Sequence, residues 1–205
     1  MMDYYDISIG QYLEIQEILE VEDVPELDKI TSLIAVCKNV DEDTVLDYDI
    51  QTFNRCVNEI SFLFSPYPKE VMKEYYVLND REYEVSVNLQ KLTAGQYIDY
   101  QTFIKEPIKN LVELLSVFVI PKGKKYGDYD MEVVHKDIRD YMSIVDGLAI
   151  SGFFLLLSQS LMQSTLTYLK KKLKKMKKKE RNREIVEKYE QAIRNLENVG
   201  DISHL

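Results

Sequence analysis

Apolar positions recur along this chain with the period of helices, and they do so in two related blocks. Tyr12, Ile15, Ile18 and Leu19 follow one another at helical spacing, as do Tyr97, Tyr100, Phe103 and Ile104. Each run opens on the same short pattern. Ser8-Ile9-Gly10-Gln11-Tyr12 aligns without gaps with Thr93-Ala94-Gly95-Gln96-Tyr97, and Gln16 is matched by Gln101. Ser8-x-x-Gln11 and Thr93-x-x-Gln96 both fit a helix capping box. In that motif the hydroxyl accepts from the N–H three residues on, and the glutamine reaches back to the cap residue's own N–H. The pattern predicts two helix starts whose shared letters serve caps and core rather than a ligand.

The correspondence continues with shifts in spacing. Ser32-Leu33-Ile34-Ala35-Val36 answers Glu113-Leu114-Leu115-Ser116-Val117, and Asp41–Val45 loosely answers Asp128–Val133. Ile60–Ser65 answers Phe153–Ser158, and the second block is longer mainly through Ile120–Gly127. The expected architecture is therefore mainly α, with two duplicated helical modules at residues 1–68 and 90–160. Residues 69–89 have a different texture. Ser65-Pro66-Tyr67-Pro68 should stop the last helix of the first module, since proline lacks the N–H and restrains its predecessor. Tyr75–Asn79 and Glu82–Val87 are β-prone runs around a short turn, so a β-hairpin linker is expected, packed between the modules rather than offering its edge.

Leu148–Ser158 is the most apolar stretch, but Asp146 precedes it and Ser158-Gln159-Ser160 follows it. That is short of the roughly 20 residues a membrane span requires, so a buried central helix is expected and no span. Beyond it, Met162, Leu166, Leu169, Leu173 and Met176 step as a heptad seam. The other face carries Lys170, Lys171, Lys172, Lys174, Lys175, Lys177, Lys178, Lys179, Arg181 and Arg183. No proline or glycine interrupts 153–199, so residues 161–205 are expected to form a long, lysine-rich amphipathic C-terminal helix.

Charge sharpens this division. The net charge of −9 hides a body, residues 1–169, with 29 acidic and 14 basic side chains, and a tail, 170–205, with 6 and 12. A general nucleic-acid binder would carry a basic body; here only the tail attracts phosphate. Three partners for the basic residues of 170–183 stay open: another protein, including a second copy of this chain; a nucleic acid; or an anionic membrane surface. A protein partner ranks first, because a long amphipathic tail on a compact body is the form of a docking or oligomerising segment.

Catalytic patterns are missing from the sequence. Neither Gly-x-x-x-x-Gly-Lys-Ser/Thr nor Gly-x-Gly-x-x-Gly occurs, nor Gly-x-Ser-x-Gly, nor His-Glu-x-x-His. Asp41, Glu42, Asp43, Asp47 and Asp49 would suit a weak calcium loop, but the position needing glycine is Leu46, and acidic residues also favour helix starts. Two cysteines, Cys37 and Cys56, and two histidines, His135 and His204, do not make a Cys/His zinc site without carboxylates. The thiol count suits a reducing cytoplasm, and the opening Met1-Met2-Asp3-Tyr4-Tyr5-Asp6 is not a secretory leader. No enzyme, cofactor or metal is expected.

Lys91–Phe103, with Thr93-Ala94-Gly95-Gln96-Tyr97 at its centre, together with Glu113–Pro121 and Phe153–Ser158, resembles small proteins from the structural-gene blocks of tailed bacteriophages, including crAss-like gut phages. The similarity runs over most of residues 5–170 and leaves the lysine-rich tail outside. It implies non-enzymatic work in virion assembly, as a tail assembly chaperone coating apolar helices of a tape-measure protein. The alternatives it implies are a structural neck or ring subunit, or an internal cargo protein. A nucleic-acid-binding accessory protein acting through 170–183 is a further alternative, drawn from the basic helix alone. The expected setting is the host cytoplasm during assembly, or the virion.

Overall fold

Side-chain caps set most of the helix starts. In the computed structural model, which describes residues 2–86, 92–177, 187–188 and 190–194, Ser8 caps helix α1 (Ile9–Glu20) and Thr93 caps α5 (Ala94–Phe103). Asp41 caps α3 (Glu42–Leu46), Asp49 caps α4 (Ile50–Glu59) and Asp130 caps α7 (Met131–Tyr141). Helix α2 (Glu26–Lys38) starts after Pro25 and ends on Asn39, a left-handed residue whose N–H returns to the carbonyls of Ala35 and Val36. Helix α6 (Leu111–Ser116) is short, and α8 runs from Ile144 to Lys177. The protein is mainly helical with one small antiparallel sheet.

That sheet has the order β1-β2-β3, with β1 at Tyr75–Leu78, β2 at Arg81–Val85 and β3 at Val119–Pro121. The β1–β2 hairpin closes through Asn79 and Asp80, both at positive φ (48° and 58°). This is the two-residue turn whose twist matches the flanking strands, and Asn and Asp tolerate it better than most residues. Leu78 pairs with Arg81 and Tyr76 with Tyr83. Strand β3 departs from the sequence pattern, which sets Val119-Ile120-Pro121 between a repeated helical run and an inserted loop. The segment is too short to show alternation, and it becomes a strand because β2 offers an open edge.

The chain divides into two compact units, Met1–Ser151 and Gly152–Leu205. In the first, α1 packs on α2 and α7, and α6 packs on α5 and α7. Ile7, Ile9, Ile15, Leu33, Ile34, Leu115, Phe118, Ile138, Met142 and Ile144 are all buried there. A short antiparallel bridge ties the start of α1 to the α7–α8 junction: Ile9 N–H donates to the Met142 carbonyl (3.0 Å) and Ile144 N–H to that of Ile7 (2.8 Å). The helical start of the first sequence block is thus hydrogen-bonded to the second.

Three sequence expectations change. Tyr97 and Leu19, placed on core faces by their spacing, are exposed, so each helix buries a narrower stripe than its pattern suggests. Residues 60–65 and 153–158 do not share a structure: Ser61–Phe64 is a single 3-10 turn with Phe64 in solvent, whereas 153–158 lies inside α8. Helix α4 ends at Glu59, before the Pro66-Tyr67-Pro68 stop. In the apolar stretch, Ile150 and Phe154 are buried while Phe153 is partly exposed. No helix among the described residues is long and apolar enough to cross a membrane.

One buried carboxylate anchors the hairpin to α7. Asp137 is 1% exposed and accepts hydrogen bonds from Asn79 Nδ2 (3.0 Å), Arg81 Nη1 (2.6 and 2.8 Å) and Tyr83 Oη (2.6 Å). Burial pushes its pKa up, but hydrogen bonds from Tyr83, Arg81 and Asn79 outweigh burial and hold the carboxyl below the usual range. A folded-state pKa below the unfolded one means stability that is present above the unfolded value and lost as pH falls through the folded one. Tyr83→Phe removes one charge-assisted bond and is expected to cost about 1.5–3 kcal/mol in denaturant melts at neutral pH. The deficit should shrink below about pH 4, where the carboxylate is protonated in the unfolded chain.

Candidate functional site

The two Gly-Gln-Tyr stretches sit in matched polar surroundings. Gln11 Oε1 accepts from the Ser8 N–H (2.9 Å) while Ser8 Oγ accepts from the Gln11 N–H (3.2 Å). Gln96 Oε1 accepts from the Thr93 N–H (3.1 Å), and Thr93 Oγ1 from the Gln96 N–H (3.2 Å). Both capping boxes form as the spacing predicts. Each glutamine then does something the box alone does not require. Gln11 Nε2 donates to the Val36 carbonyl at 2.8 Å, and Gln96 Nε2 donates to the Val117 carbonyl at 3.0 Å. Val36 and Val117 are the residues that the sequence alignment pairs, one near the end of α2 and one just beyond α6.

A carboxamide can make both bonds because it carries an acceptor and a donor on one planar group. The result is a rigid link from the start of one helix to the end of the next. Sequence spacing revealed the caps; the second bond had no signal of its own, because the distances to the two valines differ.

The neighbouring letters diverge. A Cβ added at Gly10 would lie 3.0 Å from Arg139 Cγ and 3.2 Å from the Arg139 carbonyl oxygen, so α1 and α7 approach closely only over glycine. At Gly95 the nearest such atom is 3.9 Å away. Tyr12 is buried, with its ring edge-on to Tyr67 at 6.1 Å, whereas Tyr97 is 57% exposed. Of the three shared letters, the glutamine has the same task in both places. No family model, curated protein or solved structure matches the chain.

Beside Gln11 lies an open cleft of about 660 Å³ lined by Ser8, Glu14, Asn39, Asp41, Arg139 and Tyr141, among others. Part of its polar lining is engaged by local structure. Asp41 Oδ1 accepts from the Thr44 N–H and hydroxyl, which hold its carboxyl below the usual range, and Ser32 Oγ donates to Glu42. Asp49 makes the same cap on Thr52 and is lowered likewise. The acidic run 41–49 therefore supplies helix starts, and no group of three metal-binding side chains occurs among the described residues.

One pairing was missed. Ser116 Oγ lies 3.0 Å from His135 Nε2, a residue that the sequence considered only as a zinc ligand. The serine is fully buried, and its hydroxyl donates to the Glu113 carbonyl at 2.7 Å. The hydroxyl thus bridges a main-chain carbonyl and the imidazole. The pair fastens α6 to α7. Cys37 and Cys56 are free and buried, and burial pushes the Cys37 thiol up to about 11, far from a reactive thiolate.

The basic residues divide by position. Lys170, Lys171 and Lys174 lie exposed on α8, with Leu169 and Leu173 half-buried between them. Lys172, Lys175 and Lys177 belong to the same helix, while Lys178, Lys179, Arg181 and Arg183 lie outside the described residues.

Two substitution pairs test this site. Gln96→Ala is expected to cost roughly 2 kcal/mol or more, combining a lost cap with an unsatisfied Val117 carbonyl. Gln96→Glu keeps the acceptor but sets a carboxylate against that carbonyl, so it should rescue little of the loss; thermal melts of the three proteins decide. Gly10→Ala should destabilise by about 1 kcal/mol, since α7 backbone must yield. Gly95→Ala should stabilise by about 0.5–1 kcal/mol, because only helix propensity changes.

Proposed function

We propose that this chain is a non-enzymatic virion-assembly protein of a tailed bacteriophage, acting as a tail assembly chaperone on an apolar helical partner such as a tape-measure protein. In this reading residues 1–68 and 90–160 are duplicated helical modules, 69–89 links them, and 161–205 is a basic docking helix. The observation that carries it is the use made of the residues that resemble phage proteins. Thr93 and Gln96 are a cap, and Leu114, Leu115, Val117 and Phe118 are core. What the resemblance shares is thus a scaffold, with no reactive group in it. The matched bonds from Gln11 to Val36 and from Gln96 to Val117 support the duplication.

Exposed apolar positions on the helices support this reading. Leu27, Leu46 and Ile50 stand in solvent near helix ends, and Ile98 in the middle of α5. An apolar helix laid on such positions is held by burial of its own stripe, and it is released when tube protein competes for that stripe. Quantitative mass spectrometry of purified particles tests the proposal. The chain is expected in the infected-cell lysate and absent from the particle; a fixed copy number per particle would replace the chaperone with a neck, ring or cargo subunit.

A second reading rests on Lys170, Lys171 and Lys174, three exposed cations within two turns of one helix. Contact with nucleic acid through them would be sequence-independent and salt-sensitive. Replacing the lysines of 170–179 by glutamine should abolish retention on DNA at low salt if this reading holds. Undiminished binding would remove it.

A further inference from the structure

The sheet ends in an edge strand without the usual protection. Its parity is fixed by the hydrogen bonds on both sides of β2. Val85 N–H donates to the Glu74 carbonyl, while Ser86 N–H and Lys122 N–H bond to the Phe118 and Glu82 carbonyls across β3. With Leu78 opposite Arg81 and Tyr76 opposite Tyr83, the bonded pairs of β1 and β2 are residues 74, 76 and 78 with 85, 83 and 81. The N–H and C=O groups of Tyr75 and Val77 therefore point away from the sheet. Among the described residues nothing bonds to them.

The side chains on this edge are an aromatic ring, with the Lys122 ammonium 5.9 Å from its centre, and a valine, both largely exposed. Tyr75 is 60% exposed and Val77 69%, while Tyr76 and Leu78 face the core. Natural edges are blunted by lysine, proline, a bulge or a covering loop. Tyr75-Tyr76-Val77-Leu78 has none of the first two, and its register with β2 runs without a bulge.

We propose that β1 pairs with β1 of a second copy of this chain, antiparallel and centred on Tyr76, so that two three-stranded sheets become one of six strands. The occupant is dictated by the edge itself. It has two outward-facing residues, separated by one, and a two-fold axis through Tyr76 sets Tyr75 opposite Val77 of the second copy and Val77 opposite its Tyr75. Both outward N–H and C=O sets are then satisfied, twice over. On the solvent face the same register makes two aromatic–β-branched pairs, the favourable class of cross-strand neighbour. Charge agrees with the register. Glu74 falls opposite Leu78 of the second copy, with no like charge facing it. Lys73, exposed and already paired with Asp146 at 2.9 Å, comes against the Asn79–Asp80 turn of the second copy. Four residues per strand bury far less than a standard interface, so the dimer is weak and forms at high concentration.

Sedimentation of the full chain from micromolar to millimolar concentration tests this, beside Val77→Pro. Proline at 77 removes an outward N–H that no intramolecular bond uses, so the hairpin is kept and dimerisation should weaken at least tenfold. Should Val77→Pro fail to fold, the double variant Tyr75→Lys/Val77→Lys leaves the backbone intact and sets four lysines around the axis. Register is read by mixing Tyr75→Cys chains with Val77→Cys chains under oxidation; the mixed disulfide should exceed either homodisulfide, and Cys37 and Cys56 are buried and do not compete. A monomer at every concentration overturns the proposal. So does a dimer indifferent to Val77→Pro and the lysine pair, a crosslink without preference between 75 and 77, or an edge that takes up only a foreign extended peptide.

Discussion

A primary amide that is acceptor at one helix start and donor at the end of the next is the joint on which the first unit depends. Hydrogen bonds between helices are scarce in most helical proteins, because backbone groups are consumed within each helix. Gln11 and Gln96 get around this by using an N–H at the cap and a carbonyl near the last turn, which at Val36 also accepts from the Asn39 N–H. Apolar packing alone would let α1 slide on α2. The Gln11 amide fixes the axial position, and that brings Ile9 within reach of Met142 and Ile144 within reach of Ile7.

What could be read from the sequence was local. The capping boxes were legible because their partners lie three residues apart, and the hairpin was legible because Asn79-Asp80 divides two β-prone runs. Asp137 was not legible. Its partners come from a turn and strand more than fifty residues earlier, and an isolated Asp in a helical run looks like any solvated acid. Strand β3 and the Ser116–His135 pair were hidden for the same reason, and Tyr97 shows that periodicity cannot say how wide a stripe the neighbours will cover. Of the candidate site residues, sequence located a lysine-rich helix face, and the structure places Lys170, Lys171 and Lys174 in solvent on α8.

Asp137 carries a different weight from the two glutamines. A buried carboxylate costs much unless its lone pairs are filled, and three donors from one hairpin fill them. Arg81 remains half exposed, which keeps the desolvation of the cation small while Tyr83, fully buried, supplies the short bond in the interior. Such an arrangement holds the hairpin by its turn and second strand. Strand β1 is then positioned through its pairing with β2, the burial of Tyr76 and Leu78, and the Lys122 ammonium over the Tyr75 ring.

The two blocks share a joint and diverge in the elements they build beyond it. After Val36 the chain turns on Asn39 and enters α3; after Val117 it passes Phe118 and enters β3. That difference decides the surface of the molecule. A helix closes its own backbone bonds, so the first block ends without an edge. A strand does not: β3 takes up the groups that β2 turns away from β1, and at the far side of the hairpin those of Tyr75 and Val77 stay outward. Under the proposed duplication, equal joints would hold two copies of one scaffold, while a helix-to-strand divergence in the second copy covers one side of the hairpin and leaves β1 at an edge of the sheet.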